Sequence, residues 1–168
     1  LDSAARHSQL LKAQGYITKA LKLHELFPDA HYLSGNILYE LKNYGQAFKE
    51  YQRAISLNPE KSMYHNDAGT SLFALGKYTE AMDEFKKAEV LNDTDADPLF
   101  NLGSTYGAIG ENYKRNNEPE QANKMFRLAI LNFEKAIHLN PEYKSAYQFL
   151  GVTYMNMGDT INGHIYLN

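Results

Sequence analysis

One glycine context recurs along the chain, and its period decides what kind of architecture is available. Gly35, Gly69, Gly103 and Gly151 sit in "SGNILYELKNY", "AGTSLFALGKY", "LGSTYGAIGEN" and "LGVTYMNMGDT", at spacings of 34, 34 and 48 residues. A second set of columns keeps step: Ala47, Ala81, Ala129 and Gly163, then Tyr51, Phe85, Phe133 and Leu167 four residues later, then Ala54, Ala88 and Ala136 three after that. Pro59, Asp93 and Pro141 close the units, the two prolines inside "LNPE". Within the first full unit Leu38, Leu41, Ala47, Tyr51, Ala54 and Leu57 mark apolar stripes at helical spacing, broken around Lys42 to Gly45, which predicts two helices and a short turn. Glycine inside a helix costs about 1 kcal/mol against alanine. A recurring one therefore predicts close approach of the neighbouring helix backbone. A single helix pair cannot bury its own apolar face, whereas stacked pairs can.

These columns resemble the tetratricopeptide repeat, whose 34-residue unit carries small residues on two antiparallel helices, an aromatic between them and a proline at the end. The resemblance covers nearly the whole chain. It implies an all-α fold, an α-solenoid built as a right-handed superhelix of antiparallel helix pairs, with a concave face lined by the first helix of each pair. The division expected is 28–61, 62–95 and 96–143 for three units, 1–27 for the second helix of a preceding unit and 144–168 for a partial unit. Both ends lack the polar caps that close a solenoid, so the chain reads as a piece of a longer array, or as one whose open ends stack on another copy.

The third unit is longer by 14 residues, because Gly103 to Ala129 spans 26 where the other units show 12. Seven residues added to each helix would lengthen it by about 10 Å. Leu99, Leu102, Tyr106, Ile109 and Tyr113 continue one apolar face, and Ala122, Met125, Phe126, Ala129, Phe133 and Ala136 the other. The pattern predicts helices over 97–115 and 119–138, with "RNNEPEQ" as the polar turn and Pro119 at the first helical position.

Chemistry is excluded class by class. Zero cysteine removes disulfides, thiolate metal sites and thiol nucleophiles. Seventeen basic against twenty acidic residues gives no electrostatic case for nucleic acid. No apolar run approaches the roughly 20 residues needed to cross a bilayer, and Leu1 to Arg6 has no signal-peptide character. A cytoplasmic setting is the expectation. His7, His24, His31, His65, His138 and His164 show no zinc-protease spacing and read as ordinary surface or half-buried histidines. "DTDAD" at Asp93 to Asp97 departs from a calcium loop, with Pro98 in place of its glycine and Ser104 in place of its glutamate, and reads instead as the acidic start of a helix. Neither an enzyme nor a cofactor is expected.

What remains is binding. Four columns sample the first helices: Tyr32, Asn66, Phe100, Gln148; Leu33, Asp67, Asn101, Phe149; Asn36, Thr70, Ser104, Val152; and Tyr39, Phe73, Gly107, Met155. None holds lysine or arginine. The resemblance extends to cochaperone repeats that grip the acidic tail of heat-shock chaperones with a carboxylate clamp. That clamp needs lysines and an arginine in these columns, and of its set only asparagine is present. The candidate peptide-binding residues are Tyr32, Asn36, Tyr39, Asn66, Asp67, Thr70, Phe73, Phe100, Asn101 and Ser104. Side-chain amides both donate and accept, so the asparagines suit a peptide backbone while the aromatics suit apolar side chains. With Asp29, Asp67 and Asp97 near the rim, a neutral or basic peptide or helix of a protein partner is expected. The alternative is a structural unit that forms a homo-oligomer through its repeat ends or its long third hairpin.

Overall fold

The structure, a computed structural model, describes residues 3–167, which form nine α-helices with no strand among them. The helices are α1 (Ser3–Leu23), α2 (Pro28–Glu40), α3 (Tyr44–Leu57), α4 (Ser62–Ala74), α5 (Tyr78–Leu91), α6 (Ala96–Arg115), α7 (Pro119–Leu139), α8 (Lys144–Asn156) and α9 (Thr160–Leu167). They fall into two compact units, one ending at Leu91 and the other beginning at Asn92. In the first unit α1 packs on α2, α2 on α3 and α4, α3 on α4, and α4 on α5. In the second α6 packs along α7, α7 on α8, α8 on α9, and α6 also meets α8.

Local chemistry explains most helix ends. Pro28 and Pro119 start α2 and α7, where a missing N–H costs nothing. Asp95 caps α6, its Oδ1 accepting from the Asp97 backbone N–H at 3.0 Å, so the acids of "DTDAD" do serve a helix start. Asn58 and Asn140 end α3 and α7 because the residue before proline is pushed out of the helical region. The turn inside each pair holds one residue at positive φ: Lys42, Gly76, Asn117 and Gly158. The N–H three residues beyond each helix end reaches back across the turn, as in Asn43 N–H to Leu38 O at 2.8 Å and Lys77 N–H to Leu72 O at 2.9 Å. The turn therefore lies slightly earlier than the sequence pattern predicts, and Gly45 is inside α3.

The recurring glycine has a different reason from the one expected. A Cβ on Gly35, Gly69 or Gly103 would lie 2.5–2.7 Å from ring carbons of Tyr51, Phe85 or Phe133. The close neighbour is the aromatic column and not a helix backbone. Each ring fills the space over its glycine, flanked by alanines that let the two helices close. The lengthened pair repeats this device one step further out, where a Cβ on Gly110 would lie 2.6 Å from a ring carbon of Phe126. Helices α6 and α7 run 20 and 21 residues where α2 to α5 run 13 or 14. Gly103 and Gly110 are seven apart, as are Phe126 and Phe133. Seven residues return a helix to nearly the same face, which is why an insertion of seven per helix keeps the pair in register.

Candidate functional site

Seven of the ten candidate residues lie on α2 and α4 of the first unit, and most are already engaged. The Tyr32 hydroxyl donates to Asp67 Oδ2 at 2.8 Å across the two helices. In the opposite sense the Tyr64 hydroxyl donates to Asp29 Oδ1. The two rings pack together with centroids 4.9 Å apart, so α2 and α4 hold each other through a reciprocal tyrosine–aspartate pair. Asn36 Oδ1 accepts from the Tyr51 hydroxyl at 2.7 Å, Asn66 Nδ2 donates to Asp67 Oδ1 at 3.2 Å, and Thr70 Oγ1 donates to the Asp67 backbone oxygen at 2.8 Å. Tyr39 meets Tyr44 edge-on at 5.1 Å and Phe73 packs on Tyr78 at 5.4 Å. These aromatics seat a first helix against the second helix of its own pair. They are half-buried. In the second unit the Tyr143 hydroxyl donates to Asp97 Oδ1 at 2.7 Å, so all three rim aspartates bind tyrosine hydroxyls.

Burial and the nearby Asp67 charge push the Tyr32 hydroxyl from 10.0 up to about 12. Burial likewise raises Tyr51, and burial together with an aspartate partner raises Tyr64 and Tyr143. Folding thus favours the protonated phenol. The stability Tyr32 contributes is complete below pH 10 and is lost as the pH rises through about 12. In an alkaline titration followed by the tyrosinate ultraviolet band, these four phenols are expected to ionise only on approach to unfolding. Ionisation of all thirteen tyrosines in one early step would contradict the network.

Two histidines that sequence reasoning passed over form a repeated clasp. His31 Nε2 donates to the Glu25 backbone oxygen at 3.0 Å and its Nδ1 lies 2.8 Å from Glu50 Oε2. Thirty-four residues on, His65 Nε2 donates to the Pro59 backbone oxygen at 3.0 Å and its Nδ1 lies 2.6 Å from Glu84 Oε2. Each buried ring ties a first helix to the connection before it and to the second helix after it. The shared spacing of His31/His65 and Glu50/Glu84 was the available signal. His65→Ala is expected to cost about 2 kcal/mol, since it removes a buried ring together with its hydrogen bonds to the Pro59 carbonyl and the Glu84 carboxylate, whereas exposed His24→Ala should change stability by less than about 0.5 kcal/mol. Urea titration of the two variants checks this.

The second unit offers a different surface. Phe100, Asn101 and Ser104 lie on α6 and are half-buried. Phe100 is enclosed by Phe133 at 5.7 Å, Tyr143 at 5.0 Å and Phe149 at 5.3 Å. Ser104 Oγ donates to the Phe100 carbonyl at 2.9 Å, and the Asn101 carbonyl accepts from Thr105 Oγ1 at 2.7 Å. Beside them α8 exposes Phe149, Val152 and Met155 at 48%, 50% and 36%, spaced three apart on one helix face. Gly107, in the same column as Met155, has no atom within 4 Å of where a Cβ would stand. The apolar stripe of α8 is thus part of the candidate surface, although the polar residues of α6 carry the stronger sequence signal.

Among the described residues no three His, Cys, Asp or Glu side chains converge as a metal site, and no helix is long and apolar enough to cross a membrane. Residues 28–61 match the family model described as "Tetratricopeptide repeat", and residues 69–110 match one described as "TPR repeat". A 37-residue stretch is 49% identical to the Hsp70-Hsp90 organising protein of Plasmodium falciparum (isolate 3D7), taking in 22% of this chain and 7% of that protein. Among solved structures, the MamA protein is similar with a TM-score of 0.78 at 21% identity, over 98% of this chain and 82% of that one. PilW, a type IV pilus biogenesis factor, gives 0.79 at 22% identity, over 96% and 69%. YrrB, described as a TPR protein with an unusual peptide-binding site, gives 0.70 at 22% identity, over 96% and 76%. At these identities the likeness establishes the fold.

Proposed function

Because the chain is made of tetratricopeptide repeats, we propose that it is a protein-interaction scaffold that captures a peptide or helix of a partner on the face formed by its first helices. The repeat units proposed are 28–61, 62–95 and 96–143, with 1–27 and 144–168 as partial ones. The observation that carries this reading is the exposed Phe149–Val152–Met155 stripe of α8, which meets α6 through Phe100 and Phe149 at 5.3 Å, on a helix that also holds Ser104 and the uncovered Gly107. An apolar strip with polar groups at its edge has the composition of a recognition surface. YrrB lends support as a protein of the same fold whose description includes a peptide-binding site.

The ligand is proposed to be neutral or basic. The four columns contain no lysine or arginine, and in the unit that carries the stripe the rim acid is Asp97. The short identity with an organising protein for heat-shock chaperones does not bring an acidic-tail clamp with it, because the cations that clamp needs are missing from these positions. The test uses labelled amphipathic peptides of matched length with basic, neutral and acidic polar faces. Val152→Asp is expected to weaken binding about tenfold or more, as loss of a central apolar contact does, with the basic peptide bound best by the unaltered chain. Tighter binding of the acidic peptide would refute the charge preference, and indifference to Val152→Asp would refute the surface.

A second reading, self-association, draws on α9, whose Ile161 and Ile165 are 76% and 65% exposed. Sedimentation over a range of concentrations separates the two: a mass that rises with concentration and falls back in Ile165→Glu favours the second.

A further inference from the structure

The outward side of the second helices shows where this chain departs from its own pattern. Three positions stand at matching places: Gln46, Lys49 and Arg53 on α3, Glu80, Asp83 and Lys87 on α5, and Leu128, Leu131 and Lys135 on α7. The first two sets are polar throughout and exposed. In α7 two leucines replace those polar groups, Leu131 being 47% exposed and Leu128 half-buried beside it. They do not serve the core of the pair, because α6 and α8 pack on α7 through the side that carries Ala129, Phe133 and Ala136. Both of those neighbours are in place, so this face is bare by its position in the pair. The charges change in the same stretch. On α5 Lys87 donates to Glu84 Oε1 at 2.7 Å. Lys135 matches Lys87, but Asn132 stands where Glu84 does, and its amide turns back to the Leu128 carbonyl at 2.8 Å. Lys124 and Arg127 are exposed on the same face. Among the described residues none of these three cations is in an ion pair.

We propose that the outward face of α7 is a docking site for one acidic amphipathic α-helix of a separate protein, which lays an apolar strip on Leu128 and Leu131 and sets carboxylates against Lys124, Arg127 and Lys135. The spacing suits a helix. Lys124, Leu128, Leu131 and Lys135 follow one another at steps of four, three and four, the interval at which a second helix packs along a seam. The lysine stems lengthen the apolar strip at both ends, and their Cα positions, eleven residues apart, are separated by about 16 Å along the axis. The partner's acids therefore belong about three turns apart. Charge selects this occupant. Lys124, Arg127 and the two leucines line a groove of about 530 Å³ in which Glu120 is the one acid among the described residues, so a basic helix is repelled and an acidic one attracted. A second copy fits less well: on α5, its most acidic helix, the exposed Glu80 and Asp83 occupy the positions where the apolar strip would have to be. This site is distinct from the first-helix face proposed above and does not depend on it.

The probe is a labelled helical peptide with leucines at i, i+3 and i+7, glutamate on both flanks and alanine elsewhere, used beside a twin in which lysine replaces each glutamate. Both are titrated with the 168-residue chain. Saturable binding of the glutamate peptide is expected, about tenfold or more tighter than that of its twin, and weakened about tenfold or more by Leu131→Asp. Lys124→Glu combined with Lys135→Glu should reverse the preference between the two peptides. All three positions are exposed, so these variants keep the fold, which circular dichroism checks. Binding on α7 should survive Val152→Asp, which disables the first-helix face, so the two surfaces are read separately. The proposal is overturned by no binding, by binding that Leu131→Asp leaves intact, by a twin that binds as well, by loss in Val152→Asp alone, by a dimer of the free chain that Leu131→Asp dissolves, or by phosphatidylserine vesicles that hold the chain through Leu131.

Discussion

Alanine in place of Phe85 is expected to lower the stability of the first unit by about 3–5 kcal/mol, the range for removing a fully buried aromatic ring. The surroundings argue for the upper part of that range. Phe85 is 1% exposed, and its ring occupies the volume where Gly69 has no side chain. Its helix neighbours on the same face, Ala81 and Ala88, are fully buried and too short to reach in. Gly69, Ala81 and Ala88 cannot fill the void, so the cost of a cavity adds to the lost transfer energy. Val90→Ala on the same helix is the control. It removes apolar atoms from a side chain 84% exposed and should change stability by less than about 0.5 kcal/mol. Urea titration, with hydrogen exchange to confine the effect to the first unit, measures both. A loss for Phe85→Ala of less than about 1 kcal/mol would show that the ring is not what holds the pair together.

The same geometry marks what could be read from the chain and what could not. The column of Gly35, Gly69 and Gly103 was legible because a requirement for no side chain repeats at a fixed interval. The lengthened α6 and α7 were legible because apolar spacing runs on past the usual stop and Pro119 marks a start. The identity of the glycine's neighbour was not, since spacing within a helix does not say which atom of the facing helix arrives. The tyrosine–aspartate pair was hidden for a related reason. Tyr32 and Asp67 are 35 residues apart, as are Asp29 and Tyr64, so the partners stand in different columns. Reading down one column at a time separates residues that the fold brings together.

The candidate surface divides along this line. Tyr32, Asn36 and Asp67 are polar groups of the expected kind, yet their hydrogen bonds join α2 to α4 and to Tyr51, so part of their capacity is taken up in holding the unit. The acids at the rim are held the same way. Phe149, Val152 and Met155 carry no distinctive chemistry in the sequence, and an apolar residue on a helix is normally core. Their exposure depends on what packs beside α8, which is a tertiary fact.

An alanine scan of the glycines in α6 is expected to give changes of opposite sign within one helix. Ordinary helix energetics favours alanine over glycine by about 1 kcal/mol at each position. At Gly107 nothing opposes that gain, because no atom lies within 4 Å of the new methyl group. Gly107→Ala should therefore stabilise the second unit by up to about 1 kcal/mol. At Gly103 the methyl would meet Phe133 at 2.7 Å, and at Gly110 it would meet Phe126 at 2.6 Å. Both rings are 1% exposed, and Phe133 is braced by Phe100 at 5.7 Å and Phe149 at 6.0 Å, so it has nowhere to turn. Overpacking of this kind costs about 1–3 kcal/mol, which outweighs the helix gain and leaves a net loss at both sites. Leucine at Gly103 inserts a whole side chain against the same ring and should cost about 3 kcal/mol or more. Urea midpoints of the three alanine variants decide the matter: if all three rise together, propensity alone governs these positions and the ring-over-glycine contact does not set the spacing of the pair.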